Sequence, residues 1–386
     1  RSPRRMTHIL HVTEDHSPAN TGITSAVDAL VRQVQPALSV TLLSTGSEAV
    51  PLPAGVSGVQ LPTGGIGGRL WRFAPGAGHR LAQQVQQADV IHLHGAWMWV
   101  QWAAARQAAR QRKPFVLSLH GMLEPWIWQR QHLLHQLKKQ LYWRLLAAPA
   151  FRHASLVHAI HAREAANLKA YFPHLPIQVI SPSLDLEAVE RLLADIPPAP
   201  DPQPYVLFLG RLHPVKGIDL LIQAFARLDA PHLHLKIAGP VQEREAAYAA
   251  RLKTMVKEAG LESRVEFMGA VQGVQKWSLL RRAWVFCLPS HSEVIGMVNL
   301  EAAACRTPVI TTHATGLPGA WAEAGGVLAE PSVPSLEHAL SQAVRWTSQE
   351  RLARGEGLYN LIATTYSWKA TSPQWIALYQ RLAGAP

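Results

Sequence analysis

Two short segments in the second half of the chain carry side chains suited to binding a phosphorylated ligand. The first runs from Gly210 to Gly217 and holds Arg211 and Lys216, directly after a predicted strand. A strand that feeds a glycine-flanked loop and then a helix is where α/β sheets bind phosphate. Arg211 offers a planar fork of donors and Lys216 a compact charge, so the pair predicts a diphosphate site. A basic loop that only closes a βα unit is the alternative.

The second segment, residues 289–301, also follows a predicted strand and carries two carboxylates. Glu293 lies in the predicted loop, and Glu301 lies on the helix that follows. A carboxylate at the carboxyl end of a strand can accept hydrogen bonds from ribose or sugar hydroxyls. A plain surface charge is the alternative for Glu301, and its apolar neighbours Leu300 and Ala302 weaken that alternative.

Together, the two segments resemble the donor site of glycosyltransferase family 4, the retaining enzymes of GT-B fold. That family shows a Gly-Arg-Leu-x-x-x-Lys-Gly loop followed by Glu-x7-Glu, which residues 210–217 and 293–301 match. The resemblance runs through most of residues 205–320. It is looser in the first half, where it rests on the loop at Gly22, on Leu119-His120-Gly121 and on the stretch from Ser155 to Asp185.

The resemblance implies a role for each matching residue. Arg211 and Lys216 would bind the donor diphosphate and stabilise the leaving phosphate. Glu301 would bind the ribose, and Glu293 would face the hydroxyls of the transferred sugar. His120 would lie near the reacting sugar, on the first domain's side of the cleft. The other positions implied to bind the donor are Gly22, Gly210, Gly239, Pro240, Gly269, Ile295, Gly296, Met297 and Val298.

Several positions depart from the family pattern and leave the donor sugar open. Thr21 stands before Gly22, where the family often has a second glycine. Val294 and Ile295 stand inside the segment that is often Glu-Gly-Phe-Gly, and Arg306 replaces a usual glycine. Residues 181–185 read Ser-Pro-Ser-Leu-Asp where Pro-Asn-Gly-Val-Asp is common.

The residue types also favour one kind of chemistry. The leaving phosphate gains charge as the glycosidic bond breaks, so fixed cations aimed at it lower the barrier. No Asp-x-Asp motif lies near the basic loop, so we expect no metal and no cofactor beyond a UDP- or GDP-linked donor. No carboxylate nucleophile is evident, which favours a front-face mechanism over double displacement. His92 and His94 alternate along a strand, as zinc ligands can, but without matching cysteines or carboxylates we interpret them as core or cleft histidines.

Strand-like and helix-like segments alternate along the chain, which predicts two doubly wound Rossmann-like domains of α/β class facing an interdomain cleft. We predict an N-terminal acceptor-binding domain over residues 6–180 and a C-terminal nucleotide-sugar domain over 205–367. Residues 181–204 contain a proline-rich stretch that predicts a stiff linker. We expect the final helix, residues 368–384, to pack back on the first domain.

The net charge of +11 lies entirely on the first half. Residues 1–180 hold 18 lysines and arginines against 7 acidic residues, and residues 181–386 hold 19 of each. Residues 124–148 combine tryptophans, leucines at helical spacing and basic residues, which is typical of helices at an anionic membrane interface. A core-packing helix with a solvated basic face is the alternative. The membrane-contact candidates are Trp126, Trp128, Arg130, Lys138, Lys139 and Arg144.

The sequence thus predicts a retaining transferase that moves a sugar from a nucleotide diphosphate donor to a saccharide acceptor. We expect that acceptor to be lipid-linked, in surface polysaccharide or lipopolysaccharide synthesis. No stretch approaches the roughly 18 apolar residues of a membrane span, and two cysteines in apolar contexts predict a reduced compartment, so we expect a cytoplasmic location, with peripheral binding to the inner membrane. Alternatives are a GT-B sugar-nucleotide epimerase and a nucleic-acid-binding protein that uses the basic half, for which no motif spacing is evident.

Overall fold

The computed structural model describes residues 5–16, 21–46, 51–124, 133–197 and 200–384. The chain divides into two compact units. The first comprises Arg1–Pro182 and Thr371–Pro386, and the second comprises Ser183–Ala370. Each unit is built on its own parallel sheet with helices between the strands, so the predicted α/β class is confirmed.

The first unit has a parallel sheet in which seven strands are described, in the order β3-β2-β1-β4-β5-β6-β7. The central strands β4 and β5 are buried along their whole length, as expected where helices cover both faces of a parallel sheet, and they combine apolar residues with His92, His94 and Ser118. The strands are β1 (His8–Thr13), β2 (Ser39–Thr45), β3 (Ser57–Leu61), β4 (Val90–His94), β5 (Phe115–Ser118), β6 (Leu156–Ala159) and β7 (Ile177–Val179).

The helices of the first unit connect these strands, and a π-helical segment, Trp143–Ala147, joins α5 to α6. They are α1 (Thr21–Val34), α2 (Gly65–Trp71), α3 (Gly78–Gln87), α4 (Trp99–Arg110), α5 (Leu133–Tyr142), α6 (Ala148–Phe151) and α7 (Ala162–Lys169).

The second unit has a parallel sheet in which six strands are described, in the order β10-β9-β8-β11-β12-β13. The strands are β8 (Tyr205–Leu209), β9 (His234–Ala238), β10 (Val265–Gly269), β11 (Val285–Leu288), β12 (Val309–Thr312) and β13 (Val327–Ala329). The helices are α8 (Leu186–Leu193), α9 (Ile218–Ala226), α10 (Ala246–Glu258), α11 (Gly273–Arg282), α12 (Met297–Ala304), α13 (Ala320–Glu323), α14 (Val333–Val344) and α15 (Ser348–Thr365). The last helix, α16 (Trp368–Leu382), begins in the second unit and belongs to the first from Thr371 onward.

Each sheet has a point where the strand order reverses, between β1 and β4 in the first unit and between β8 and β11 in the second. Connections leave these neighbouring strands towards opposite sides, so a crevice opens at their carboxyl ends. Ligands of open α/β sheets bind at such switch points. The fold therefore directs attention to the loops that follow β8 and β11.

The structure differs from the sequence-based expectation at several elements. Strands β3, β7 and β13 were not predicted; each is an edge strand, and its partly exposed residues lack the long apolar run of a central strand. Residues 181–204, predicted as a linker, contain helix α8, whose first turn is capped by the Asp185 side chain accepting from the Ala188 amide. Among the described residues, no helix combines the length and the hydrophobicity that crossing a bilayer requires.

Candidate functional site

The loops after β8 and β11 meet at the switch point of the second unit. The His291 amide donates to the Val215 carbonyl at 2.8 Å. Gly217 adopts a left-handed φ of +65°, and a β-carbon there would lie 2.2 Å from the Pro289 carbonyl oxygen. Only glycine allows this approach without displacing backbone. The two motifs of the sequence are therefore joined by backbone contact.

Lys216 and Glu293 form an ion pair across these two loops. Their side chains are 16% and 19% exposed, so solvent reaches the pair. Lys216 ends a 3-10 turn that the His213 ring caps by accepting from the Val215 amide at 3.1 Å. Arg211 is exposed, and no ion-pair partner for it occurs in the described part of the chain. The loops thus bring one cation and one carboxylate into contact, and the loop that carries Lys216 also carries the exposed Arg211.

Glu301 lies on α12 and pairs with Lys276 of α11, with 2.6 Å between Nζ and Oε1. Its other carboxylate oxygen, Oε2, is buried and has no hydrogen-bond partner among the described residues. Burial raises the pKa of Glu301, and the Lys276 charge opposes that shift. An unpartnered buried acceptor costs free energy, so this carboxylate has unused capacity to accept a hydroxyl hydrogen bond.

Three glycines end the neighbouring strands β8, β9 and β10. The Gly239 amide donates to the Gly269 carbonyl at 2.7 Å. A β-carbon on Gly239 would lie only 1.8 Å from the Gly210 carbonyl oxygen. Gly269 and the neighbouring Pro240 are exposed. The carboxyl ends of these three strands therefore carry no side chains at the glycine positions, which lets a flat or charged ligand approach the backbone closely.

Residues 295–298, at the start of α12, differ in how far their side chains are exposed. Gly296 has a φ of +72°, and a β-carbon there would lie 2.8 Å from the nearest side-chain carbon. Met297 is 39% exposed and Val298 is partly exposed. Ile295 is buried, so its side chain packs in the core and only its backbone is available to a ligand.

His120 lies in the first unit, directly after β5. His120 and Gly121 both have left-handed backbones, with φ of +51° and +74°. The His120 ring is partly exposed, and its Nε2 lies 3.1 Å from Nδ1 of His94. Burial lowers the pKa of His120 to about 3, with a smaller contribution from His158. The ring is therefore neutral at physiological pH and can hydrogen-bond without carrying a charge.

Gly22 does not lie where the sequence suggested. It belongs to the first turn of α1 rather than to the loop before it, and it is exposed. A β-carbon at Gly22 would have no described heavy atom within 4 Å. The helix therefore leaves room for a side chain there, and residues 17–20 of the predicted loop lie outside the described residues.

Five histidines lie close together in the first unit, and we call them the histidine cluster: His11, His92, His94, His120 and His158. Parallel pairing aligns β1 with β4 and β5 with β6, which brings their rings to one region of the sheet. Two rings of α16 pack on this region: Trp375 lies 4.6 Å from His158 and Tyr379 lies 5.9 Å from His92, centroid to centroid. The cluster is thus a polar part of an otherwise apolar core.

Nitrogen atoms of His11, His92 and His94 lie within 4.8 Å of one another, a spacing that a metal ion could bridge. The hydrogen bonds argue against that use. The carbonyl of Ile180 can only accept, so His158 donates to it at 2.8 Å and accepts from the Ser118 hydroxyl at 2.7 Å.

That direction fixes the rest of the chain of hydrogen bonds. The Ser118 oxygen accepts from His92 Nε2 at 2.6 Å, so His92 Nδ1 accepts from the Tyr379 hydroxyl at 2.7 Å. Both nitrogens of His92 are therefore used, and a metal would have to displace Ser118 or Tyr379. The geometry favours a hydrogen-bonded polar core.

Three of the six membrane-contact candidates lie outside the described residues: Trp126, Trp128 and Arg130. Lys138 and Arg144 are exposed. Lys139 instead lies over Trp97, with its ammonium 5.0 Å from the ring centroid, and burial lowers its pKa. Lys139 is thus committed to a cation–π contact within the unit, which helical spacing does not reveal.

Exposed leucines lie on the same stretch of helix. Leu137, Leu141 and Leu145 are 53%, 49% and 68% exposed. Their spacing of four residues puts them close to one line along the helix, although the π-helical segment shifts Leu145 slightly. Large exposed apolar patches mark interaction sites more often than single exposed leucines do.

Two residues of these sites were missed by sequence reasoning. Lys276 pairs with Glu301 from a separate helix, and Glu164 binds the amide of Gly121 from a position 43 residues downstream. Neither belongs to a motif, because each contact depends on the packing of elements distant in the sequence. The one available signal for Lys276 was a lysine beside a tryptophan on a short predicted helix.

Two family models match most of the chain. Residues 21–188 match the model described as Glycosyltransferase Family 4, and residues 190–354 match the model described as Glycosyl transferases group 1. The matches divide close to the boundary between the two compact units.

A curated relative gives a second comparison. The D-inositol 3-phosphate glycosyltransferase of Mycobacterium tuberculosis is 28% identical over 236 residues, which is 60% of this chain and 47% of that protein. The same figures hold for the Mycobacterium bovis protein of that name. The matched region thus spans about half the length of these relatives.

Solved structures of similar fold cover nearly all of the chain. Sucrose-phosphate synthase from Thermosynechococcus elongatus has a TM-score of 0.75 and 20% identity, over 98% of this chain and 100% of that one. Anabaena HepE, solved in complex with UDP and glucose, has a TM-score of 0.70 and 18% identity, over 98% and 100%. WaaG, described as a glycosyltransferase involved in lipopolysaccharide biosynthesis, has a TM-score of 0.67 and 17% identity, over 96% and 99%. These similarities confirm the predicted fold.

Proposed function

Since this chain belongs to glycosyltransferase family 4, we propose that it transfers a sugar from a nucleotide diphosphate donor to a saccharide acceptor, with retention of anomeric configuration. The observation that carries the proposal is the meeting of Lys216 with Glu293, on the loop that also carries the exposed Arg211. Two cations and a carboxylate at a switch point suit a ligand with an anionic diphosphate and a polyhydroxyl sugar.

In the proposed reaction, the bond between the anomeric carbon and the β-phosphate oxygen breaks, and its electron pair stays on that oxygen. Arg211 and Lys216 stabilise the charge that develops there, which is the largest contribution such a site can make. The acceptor hydroxyl forms the new bond on the same face of the sugar, and its proton passes to the leaving phosphate oxygen. This front-face path needs no carboxylate nucleophile.

Glu293 has a second task in this scheme. A diphosphate bound to Lys216 competes with Glu293 for the ammonium group. The carboxylate, 19% exposed, is then available to accept hydrogen bonds from hydroxyls of the donor sugar. The diphosphate carries one more negative charge than the carboxylate it displaces, and the Arg211 guanidinium is the second cation that can offset that charge.

The remaining residues of the second unit suit the nucleoside. Glu301 would accept from the ribose hydroxyls through the carboxylate oxygen that has no partner among the described residues. The bare backbone at Gly210, Gly239 and Gly269 would allow the diphosphate and the base to approach the sheet edge. His120, in the first unit, would hydrogen-bond the donor sugar as a neutral ring.

We propose that the reaction uses neither a metal nor a cofactor, because Arg211 and Lys216 supply the positive charge that a divalent ion would otherwise provide. Turnover should therefore be unchanged by EDTA. A requirement for a divalent ion would refute this part of the proposal.

We propose further that the acceptor is lipid-linked and lies at the anionic cytoplasmic face of a membrane, as in surface polysaccharide or lipopolysaccharide synthesis. The support is the exposed line of Leu137, Leu141 and Leu145 with Lys138 and Arg144 exposed on the same stretch. Apolar side chains that enter an interface beside lysines and arginines suit anionic lipids. The positive charge of the first half points the same way.

Release of the nucleotide tests the proposed function. The chain is incubated with UDP-glucose, GDP-mannose or ADP-glucose, with and without simple saccharides, and free nucleotide diphosphate is measured. UDP-sugars come first because HepE, similar in fold, was solved with UDP. We expect release from one donor class, and the same nucleotide diphosphate should raise the melting temperature. Absence of both release and stabilisation with every donor would refute the proposal.

A further inference from the structure

The backbone that carries His120 is held in an uncommon conformation. His120 and Gly121 are consecutive left-handed residues, with φ of +51° and +74°. Gly121 adopts this region freely, but a β-carbon makes it costly for His120. A non-glycine residue stays there only where surrounding contacts hold it. Contacts from neighbouring elements must therefore hold this turn.

Glu164 supplies the side-chain contact to the turn. It lies in the first turn of α7 and is 2% exposed. One carboxylate oxygen accepts from the Gly121 amide at 2.8 Å, and the other accepts from the Ile160 amide at 2.6 Å. Its own amide donates to the His161 ring at 3.0 Å. A single buried carboxylate thus ties the turn after β5 to the loop after β6.

The imidazole ring is held separately from the backbone. His120 Nε2 hydrogen-bonds His94 Nδ1 at 3.1 Å, and the two rings stack at 27°. His94 Nε2 in turn bonds His11 Nδ1 at 2.9 Å. Both partners are buried, so they have little freedom to move. Nδ1 of His120 has no hydrogen-bond partner among the described residues, and it is the ring nitrogen left for a substrate.

We propose that Glu164 is a positioning residue for His120: its carboxylate holds the left-handed turn so that the ring keeps its bond to His94 and leaves Nδ1 for the donor. The role given to His120 rests on the proposed function. The positioning itself depends only on contacts within the first unit. Glu164 touches no reacting atom in this proposal and acts entirely through the turn.

The substitution Glu164→Gln separates positioning from packing. Glutamine has nearly the same shape, but it offers one acceptor oxygen and one amino group where glutamate offers two acceptors. One of the two backbone amides must then face the amino group, and that bond is lost. Glu124→Gln is the matched control, because Glu124 is 8% exposed and its carboxylate accepts from the Asn167 side chain at 2.9 Å. Glu124 contacts the turn through its backbone amide, which donates to the Gly121 carbonyl at 3.1 Å and which the substitution keeps.

Two measurements on the full chain decide the proposal. The first is NMR of the His120 ring nitrogens and of hydrogen exchange at the Gly121 amide, with no donor present. The second is turnover of the sugar nucleotide. We expect Glu164→Gln to shift the His120 signals, to speed Gly121 exchange and to lower kcat on the order of 10- to 100-fold, with little change in KM. Glu124→Gln should leave the His120 signals and Gly121 exchange unchanged.

Each outcome is informative. Unchanged His120 signals and Gly121 exchange in folded Glu164→Gln would overturn the proposal, as would identical changes in Glu124→Gln. If Glu164→Gln does not fold, Glu164→Asp, which keeps the charge but withdraws it by one methylene, must give the same NMR changes or the proposal fails. Altered His120 signals in Glu164→Gln, together with a wild-type chain that turns over no donor, would leave the positioning intact and refute the proposed function instead.

Discussion

Replacing Lys216 by methionine is the perturbation that the structure defines best. Methionine keeps most of the length of the side chain and removes the ammonium group, so it deletes the charge without creating a large cavity. In the folded chain, the change breaks the ion pair with Glu293. In the proposed reaction, it also removes one of the two cations that stabilise the leaving phosphate.

The expected effects on stability and on turnover differ widely in size. Both side chains of the pair are partly exposed, at 16% and 19%, and such pairs contribute about 0–1 kcal/mol to stability. A loss of that size lowers the melting temperature of a unit this large by no more than about 2–4 °C. Loss of one fixed donor to a developing oxyanion lowers kcat about 10²–10³-fold, or about 2.7–4 kcal/mol.

The assay is steady-state release of nucleotide diphosphate, with thermal unfolding of the same preparations. Lys276→Met is the matched variant, because Lys276 also pairs with a partly buried glutamate, Glu301. We expect Lys276→Met to raise the donor KM more than it lowers kcat, and Lys216→Met to do the reverse. A Lys216→Met variant that keeps more than about a third of wild-type kcat would refute the assignment of Lys216 to the leaving phosphate.

Four further expectations follow from the same structure. Glu301→Gln should raise the donor KM roughly tenfold with kcat little changed, because the hydrogen bond to the ribose stabilises the ground state and the transition state equally. A variant with a lower kcat and an unchanged KM would contradict this role of Glu301. Tyr379→Phe leaves the buried Nδ1 of His92 without its hydrogen-bond donor. It should lower the free energy of unfolding, measured by urea titration, by about 1–3 kcal/mol. An unchanged free energy of unfolding would show that this hydrogen bond is absent. Burial lowers the pKa of all five histidines of the cluster, so below about pH 6.5 the unfolded chain binds more protons than the folded one. The free energy of unfolding should therefore be greatest above that pH and fall steadily towards pH 4. A urea midpoint that does not change over this range would contradict the buried, neutral cluster. The double substitution Lys138→Glu and Arg144→Glu should reduce co-sedimentation with vesicles containing phosphatidylserine but not with neutral vesicles, and equal loss from both would count against an electrostatic membrane contact.

Much of the fold could be predicted from the sequence because central parallel strands are continuous apolar runs. Segments such as Tyr205–Leu209 stand out in composition alone. Most of the described edge strands do not: Ser57–Leu61 is largely exposed or partly exposed, and Ile177–Val179 has only three residues, although the edge strand Val265–Gly269 was predicted. Their pairing comes from the neighbouring strand, which no local pattern records.

The candidate site divides in the same way. Arg211, Lys216 and Glu293 could be selected because loops at the carboxyl ends of strands carry them, and Glu301 because it follows Glu293 at a recognisable spacing. The structure does bring Lys216 and Glu293 into contact. Lys276 could not be selected, since its pairing depends on how two helices pack.

The surroundings of individual residues also could not be predicted from the sequence. Lys139 has the spacing of a surface lysine, yet it packs over Trp97. Gly22 reads as a loop glycine, yet helix α1 begins one residue before it. In both cases the local pattern is compatible with either placement, and contacts with distant residues decide between them.

A crystal structure of the chain with UDP, or with the nucleotide diphosphate that the release assay selects, would show whether Arg211 and Lys216 hold the diphosphate. We expect the β-phosphate to lie within about 3 Å of the Lys216 ammonium and the Arg211 guanidinium, with Glu293 displaced from its ion pair and Glu301 bonded to the ribose. A diphosphate bound elsewhere, with the Lys216–Glu293 pair intact, would contradict it.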